Sequence, residues 1–358
     1  MRSLVPAAGR RIRVERAAGD VRRAASLRVL HGHEEQGASI STQYAVWVPV
    51  AFFIAACWGF IVVINKRTLD HVDPIALNLF ARLPSVVFMA LAVAVLTGFH
   101  LWSLDFSMTW AAAGYMTISS VATWLIAFNT YFLALRLGSV GVVAPIMSTD
   151  PIFTALFSIA ILGTTLNGWV VGGLLTATAG VMLISHRMDV ATDPHGEILT
   201  APATRHARRG PQMEVVLLSL ITAAGWGLAP VIIQLAERSV GGPSATMMLQ
   251  SQVLGLVLVA PLARRRRGAF FTHKLDRDEK RLVFLLILTS GALEATFSVC
   301  YYLLIDHLGA VLTTLIVASS PIFSIVGGVA LLRERLGLKL AIGAAITLAG
   351  VFLALAGT

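Results

Sequence analysis

The chain has 358 residues, 56% hydrophobic and 13% charged, with a mean hydropathy of +0.78. A soluble domain carries about a quarter charged residues, so this composition excludes one and points to a bilayer. The net charge of +9 sets 28 Lys+Arg against 19 Asp+Glu; because the basic residues stand between apolar runs they read as flanks of membrane spans, and no nucleic-acid partner is expected.

Residues 1–45 form a polar tail rich in arginine, with Arg10, Arg11, Arg13, Arg16, Arg22, Arg23 and Arg28 and no apolar run. The tail reads as disordered, and it lacks the apolar region of a cleavable signal peptide. Within it, His31-Gly32-His33-Glu34-Glu35 has no partner ligands at a helical or hairpin spacing, so a solvated stretch is expected there rather than a metal site.

From residue 46 onward the apolar runs predict ten spanning helices. The first half gives Val46–Ile64, Pro74–Thr97, Trp110–Leu135, Ser139–Leu162 and Gly168–Ser185. The second half gives Glu214–Gln234, Ser244–Leu262, Leu282–Ile305, Ala310–Leu332 and Gly337–Ala356. Each run is long enough to cross roughly 30 Å of hydrocarbon. Residues 187–213 are polar and hold Pro194, Pro202 and Pro211, so they read as a linker between units 46–186 and 214–358.

The two units are copies of one another. Pro151 to Val181 aligns without a gap on Pro321 to Val351, and about 10 of 31 positions are identical at an offset of 170. Both Pro-Ile-Phe triplets match, as do Gly173 with Gly343 and Gly180 with Gly350. Upstream, Tyr131 to Gly138 echoes Tyr302 to Gly309, and Trp58-Gly59 echoes Trp226-Gly227. An odd number of spans per copy turns the second copy upside down. The expected fold class is therefore all-α integral membrane, ten transmembrane helices as two inverted five-helix repeats, with a site at the midplane between them.

Ionisable residues inside spans cost about 2.5–3.5 kcal/mol each on insertion scales, so they are candidates for function. Arg82 shares a helical face with Asn78 and Ser85; it would hold an anionic substrate group, snorkel, or pair with a carboxylate. Asp150 precedes Pro151, which removes a backbone donor and should bend the helix. Asp150 would bind a cation, carry a proton, or pair with Arg82. Glu294, with Phe297 and Tyr301 on its face, suits proton coupling or a hydrated position. Trp58 and Trp226 would stack on a substrate or simply pack. Asn129, Gln250 and Gln252 would bind ligand or bridge helices. The expected substrate contacts are thus Trp58, Asn78, Arg82, Asn129, Asp150, Trp226, Gln250 and Tyr301, with Asp150 and Glu294 as proton-coupling groups. The seams Gly173-Ala177-Gly180 and Gly343-Thr347-Gly350 suit close helix packing within one chain, or dimerisation. Cys57 and Cys300 sit in apolar runs as packing residues.

No GxxxxGK[ST], GxSxG, HExxH or CxxC motif is present. Neither ATP-driven pumping nor an enzyme is expected, and no catalytic residue, metal ligand or cofactor is assigned.

The ordered motifs resemble those of the EamA-type transporters of the drug/metabolite transporter superfamily. They are Trp58-Gly59 with Lys66, Pro74 followed by Arg82, the run Tyr131 to Gly138, Pro151 and Pro321, Arg333-Glu334-Arg335-Leu336, and the Gly-Val pairs at 180–181 and 350–351. The resemblance covers about residues 46 to 356 and implies ten helices that move small metabolites or drugs, often outward. The chain departs from it at Gly163-Thr164, where Gly-Glu is usual, and in the loop 98–109, which holds no Lys or Arg. Lys and Arg favour one face of the predicted spans by 18 to 9. That count puts both termini outside, whereas the resemblance puts both inside. The function expected is a secondary active or facilitative transporter. It would export a small metabolite or drug across a bacterial cytoplasmic membrane by alternating access, as a multi-pass monomer or homodimer whose partners are a small-molecule substrate and the lipid bilayer. The alternatives are a flippase for a lipid-linked headgroup and a non-transporting interaction subunit.

Overall fold

The computed structural model describes residues 46–65, 67–99, 106–137, 143, 146–147, 149–185, 212–265, 270–323 and 338–357. The expected tail at 1–45, most of the linker, and the Arg333-Glu334-Arg335 cluster lie outside the described residues. The described elements are helical, and an isolated antiparallel bridge joins Val72 and Phe271.

In chain order, α1 is Val46–Leu69 and α2 is Pro74–Gly98. Helix α3 runs Trp110–Ser120, continues through a π-helical stretch at Val121–Ala127 and finishes as Phe128–Leu137. Then come α4 (Asp150–Leu162), α5 (Gly168–Ser185), α6 (Gln212–Val240), α7 (Ala245–Arg265), α8 (Arg277–Val317) and α9 (Leu338–Leu355). Six of the described helices are long and apolar enough to cross a membrane: α1, α2, α3, α6, α7 and α8.

Local chemistry sets several helix ends. The Asp73 carboxylate accepts from the Ile75 amide ahead of Pro74, and the Thr109 hydroxyl accepts from the Ala112 amide. Asp276 and Glu279 form a reciprocal capping box that starts α8. Gly163 (φ 65) closes α4 in the left-handed region.

Two boundaries differ from the sequence expectation. Ser139–Leu162 is not one helix, because the chain turns at Thr149 and α4 starts only at Asp150. Pro151 explains the break: it has no amide to donate and is best tolerated in a first turn. The spans expected at Leu282–Ile305 and Ala310–Leu332 meet in the 41-residue α8, which bends at Gly309 (φ 76, ψ 163) and stops at Val317. The freed amide of Ala310 donates to Gln234 of α6.

The helices show apolar side chains outward and bury polar groups among an apolar core. In α2, Leu83, Val87 and Leu91 are exposed at four-residue spacing, while Asn78, Arg82 and Ser85 are buried. An outward stripe of that kind suits a hydrocarbon solvent.

The repeat-related helices α5 and α9 meet antiparallel. A Cβ placed on Gly173 would stand 2.6 Å from the Ala354 methyl, and one on Gly180 would stand 2.7 Å from the Gly343 carbonyl. One on Gly350 would collide with the backbone of Ala177. Residue 173 therefore faces 350 while 180 faces 343, the exchange a two-fold relation between α5 and α9 requires. Because α1 corresponds to α6 and α3 to α8, the same two-fold carries the antiparallel contact of α3 with α6 onto that of α8 with α1. Ser119 donates to the Ala229 carbonyl and Thr130 bonds Thr222, while Trp58 meets Phe297 and Ser290 donates to Asn65.

This seam yields a first prediction. Gly350→Val should destabilise the protein by about 1–3 kcal/mol, since the colliding atoms are backbone and cannot rotate away. It should appear as a lower unfolding midpoint in detergent. Gly172→Ala, whose Cβ would rest 3.5 Å from Leu353, should leave that midpoint unchanged. Equal midpoints for Gly350→Val and wild type would refute the packing.

Candidate functional site

Two repeat-related turns frame the site. Thr149 donates its amide and its hydroxyl to the Ile146 carbonyl, at 3.2 and 2.6 Å. Ser319, 170 positions on, does the same to Ile316, at 3.0 and 2.6 Å. The proline of each Pro-Ile-Phe triplet follows two residues later. The first turn leaves Asp150 at the start of α4. Gly227 lets that start approach α6, because a Cβ there would stand 2.8 Å from the Asp150 carbonyl and 2.6 Å from Phe153 Cβ. This gives the Trp-Gly pair of α6 its physical reason: Trp226 faces the site and Gly227 admits the backbone beside it.

Asp150 opens onto a cavity of about 130 Å³. Its walls come from α1 (Trp58), α3 (Ser119, Thr123, Trp124, Phe128), α6 (Trp226, Ala229, Pro230, Ile233) and α7 (Ser251, Gln252). Helix α8 adds Glu294, Phe297, Ser298, Tyr301 and Tyr302, and beyond the Gly309 bend Thr314 and Val317. The aromatic rings interlock: Trp58 and Trp226 meet at 6.0 Å and 90°, Trp58 and Phe297 at 5.2 Å, Phe297 and Tyr301 at 5.1 Å and 20°. These are edge and offset geometries favoured by aromatic quadrupoles. Pro230 leaves the Trp226 carbonyl without its helical donor beside the cavity.

Behind this wall lies a buried ion pair. The Arg82 guanidinium, 2% exposed, pairs with the Glu294 carboxylate, 3% exposed. Arg82 also donates to Gln252 Oε1 at 3.4 Å and lies 3.9 Å from the centre of the Trp124 ring, a cation–π contact. Gln252 accepts from Ser85 at 3.2 Å and donates to Ser298 at 3.0 Å. The network ties α2, α7 and α8 together and rests on α3. It corrects one expectation: Arg82 pairs with Glu294, not with Asp150. Among the described residues Asp150 has no ion pair.

Four of the expected contact residues line the cavity, Trp58, Asp150, Trp226 and Tyr301, and so does Glu294, expected as a proton-coupling group. Arg82, Asn78, Asn129 and Gln250 do not. The widened π turn leaves the Trp124 carbonyl able to accept from both Asn78 (3.4 Å) and Asn129 (3.2 Å). Gln250 donates to the Ala113 carbonyl at 3.0 Å and staples α7 to α3. These amides serve the backbone, a role that polar residues inside a bilayer often take.

Thr123, Trp124 and Phe128 were not legible in the sequence, because a π turn carries no periodicity that marks it, and neither was Ser119 just before that turn. Glu237 was missed as well. That residue is 2% exposed, and neither carboxylate oxygen has a hydrogen-bond partner among the described residues. Span six was expected to end at Gln234, which placed Glu237 in a loop; α6 carries it on to Val240.

The EamA-like transporter family model matches residues 45–186 and 213–356, one copy in each half. The chain belongs to this family. EamA proteins are part of the drug/metabolite transporter superfamily, so the chain is a multi-pass membrane protein of a transporter type. A solved structure, described only as a crystal structure of protein, aligns with a TM-score of 0.62 over 87% of this chain and 96% of that one. At 18% identity it shares the fold alone. No curated protein matches the chain.

A second prediction follows from the ion pair of this EamA protein. Arg82→Met or Glu294→Leu alone should cost about 3–5 kcal/mol, since each strands a buried charge. The double variant should lose much less than the sum. Unfolding in mixed micelles measures all three, and strict additivity would mean the pair is not coupled.

Proposed function

We propose that this EamA protein is a secondary active or facilitative transporter that carries a small amphipathic compound outward through the cavity by alternating access. The frame would be ten spans in two inverted five-helix repeats in a cytoplasmic membrane. The antiparallel pairing of α5 with α9, α3 with α6 and α1 with α8 supports that frame. So does a cavity whose walls come from both repeats.

The observation that carries the reading is a carboxylate without a cation among the described residues, inside an aromatic box. Glu294 is already neutralised by Arg82, so the free acid facing the cavity is Asp150. Trp58, Trp226, Phe297 and Tyr301 offer π faces around it. Such a box suits a metabolite or drug with a cationic or donor-bearing head and a flat apolar body. We assign Asp150 to that head, or to the proton that exchanges with it, in place of Glu294. Trp58, Trp226 and Tyr301 stack on the body. Arg82 and Glu294 hold the wall.

The test is uptake of a fluorescent aromatic cation by proteoliposomes under a pH gradient. Asp150→Asn should reduce flux at least tenfold and Trp58→Ala should raise the half-saturating concentration, while Gln250→Ala should change neither. Flux that Asp150→Asn leaves intact would remove Asp150 from the site. Absence of flux for cations, anions and neutral metabolites alike would remove the transport reading.

A further inference from the structure

Two loops from different repeats are pinned together at one end of the bundle. The turn after α1 and the segment before α8 share three backbone-anchored bonds. The Asp73 amide donates to the Phe270 carbonyl at 2.9 Å, the Thr272 amide to the His71 carbonyl at 3.0 Å, and the Thr272 hydroxyl to the Asp70 carbonyl at 2.8 Å. This brings the rings of His71 and His273, 202 positions apart in the chain, to 5.5 Å. Glu279 stands beside them in the first turn of α8. One ligand atom from each of His71, His273 and Glu279 lies within 4.8 Å of the other two.

Hydrogen bonding fixes what these atoms present. The Thr272 hydroxyl has one proton, and Asp70 receives it. Toward His273 Nδ1, 3.0 Å away, Thr272 can therefore only accept, so Nδ1 carries the hydrogen. In the neutral ring, Nε2 then points a lone pair at Glu279 Oε1, 3.2 Å away. Two acceptors at that distance repel, so the contact holds either a proton on Nε2, as in an imidazolium–carboxylate pair, or a metal cation between the two atoms. The other oxygen of Glu279 is held by the Asp276 amide at 3.0 Å. His71 adds a buried Nδ1 with no hydrogen-bond partner among the described residues. Imidazole and carboxylate ligands oriented from behind by second bonds are the usual setting of a protein metal ion.

We propose that His71, His273 and Glu279 form a binding site for a first-row divalent cation of the zinc type. Two imidazoles and one carboxylate suit Zn²⁺ and leave a fourth position for water. Bonds of about 2.0–2.2 Å would set the ligand atoms roughly 3.3 Å apart. Side-chain rotation supplies the remaining closure, because the backbone is already fastened. The ion would clip the first repeat to the second at their loops, outside the cavity.

The experiment is a Zn²⁺ titration of purified full-length protein without an affinity tag, read by calorimetry and by the unfolding midpoint; it requires no transport. One Zn²⁺ per chain should bind and raise the midpoint. His71→Gln and His273→Gln should each abolish that binding and that rise while leaving the metal-free midpoint near wild type. His31→Ala with His33→Ala should retain both. No stoichiometric binding would overturn the proposal and leave His273–Glu279 as a simple ion pair. Binding that survives His71→Gln or His273→Gln would overturn it equally. Mg²⁺ in place of Zn²⁺ should produce no shift, and an equal shift would refute the assigned ligand chemistry.

Discussion

The pairing of Arg82 with Glu294 is the constraint around which the helices are arranged. Two charges this deep are stable only if each sees the other and the remaining polar atoms find partners. The surroundings provide much of this, although Arg82 Nε has no hydrogen-bond partner among the described residues. Gln252 accepts from the guanidinium, Ser85 and Ser298 fix the Gln252 amide, and the Trp124 face covers the cation. Those contacts fix α2, α7 and α8 in register, with α3 behind them. Glu294, Gln252 and Trp124 each also present an edge to the cavity. The scaffold that satisfies the ion pair is thus the wall of the site, and neither can be moved without the other.

The aromatic box and the ion pair divide the polar work. Because Arg82 and Glu294 cancel, they contribute shape rather than net charge. Asp150 is held differently, at the start of a helix that a proline forces to begin there. Its carboxylate has no compensating cation among the described residues, so the site has an electrostatic character that belongs to one residue. Glu237 is a buried acid without a hydrogen-bond partner among the described residues.

Much of the fold was legible because its signals are local. Apolar runs mark α2 and α3, and the duplicated Pro-Ile-Phe and glycine patterns mark the copies. The site was legible in part. Trp58, Asp150, Trp226, Glu294 and Tyr301 were found because polar or aromatic residues inside apolar runs are conspicuous. Partner choice was not, since nothing in the sequence says whether Arg82 meets Asp150 or Glu294, which lie in helices far apart in the chain. The roles of Asn78, Asn129 and Gln250 were not legible for a related reason. An amide in a span announces a need for a hydrogen bond, and only the π turn at Trp124 and the carbonyl of Ala113 reveal where that need is met. His71 and His273 share no motif, and only the folded loops make them neighbours.

The matched turns at Thr149 and Ser319 carry one further implication. The backbone is duplicated there down to individual hydrogen bonds, yet the next residue is Asp150 in one copy and Ser320 in the other. In the cycle proposed above, the halves would trade shapes while the formal charge stays with the first. The two open states would then be unequal in energy for any charged passenger. Vectorial bias in such a carrier would arise from a single unduplicated side chain, with the fold itself remaining indifferent to direction.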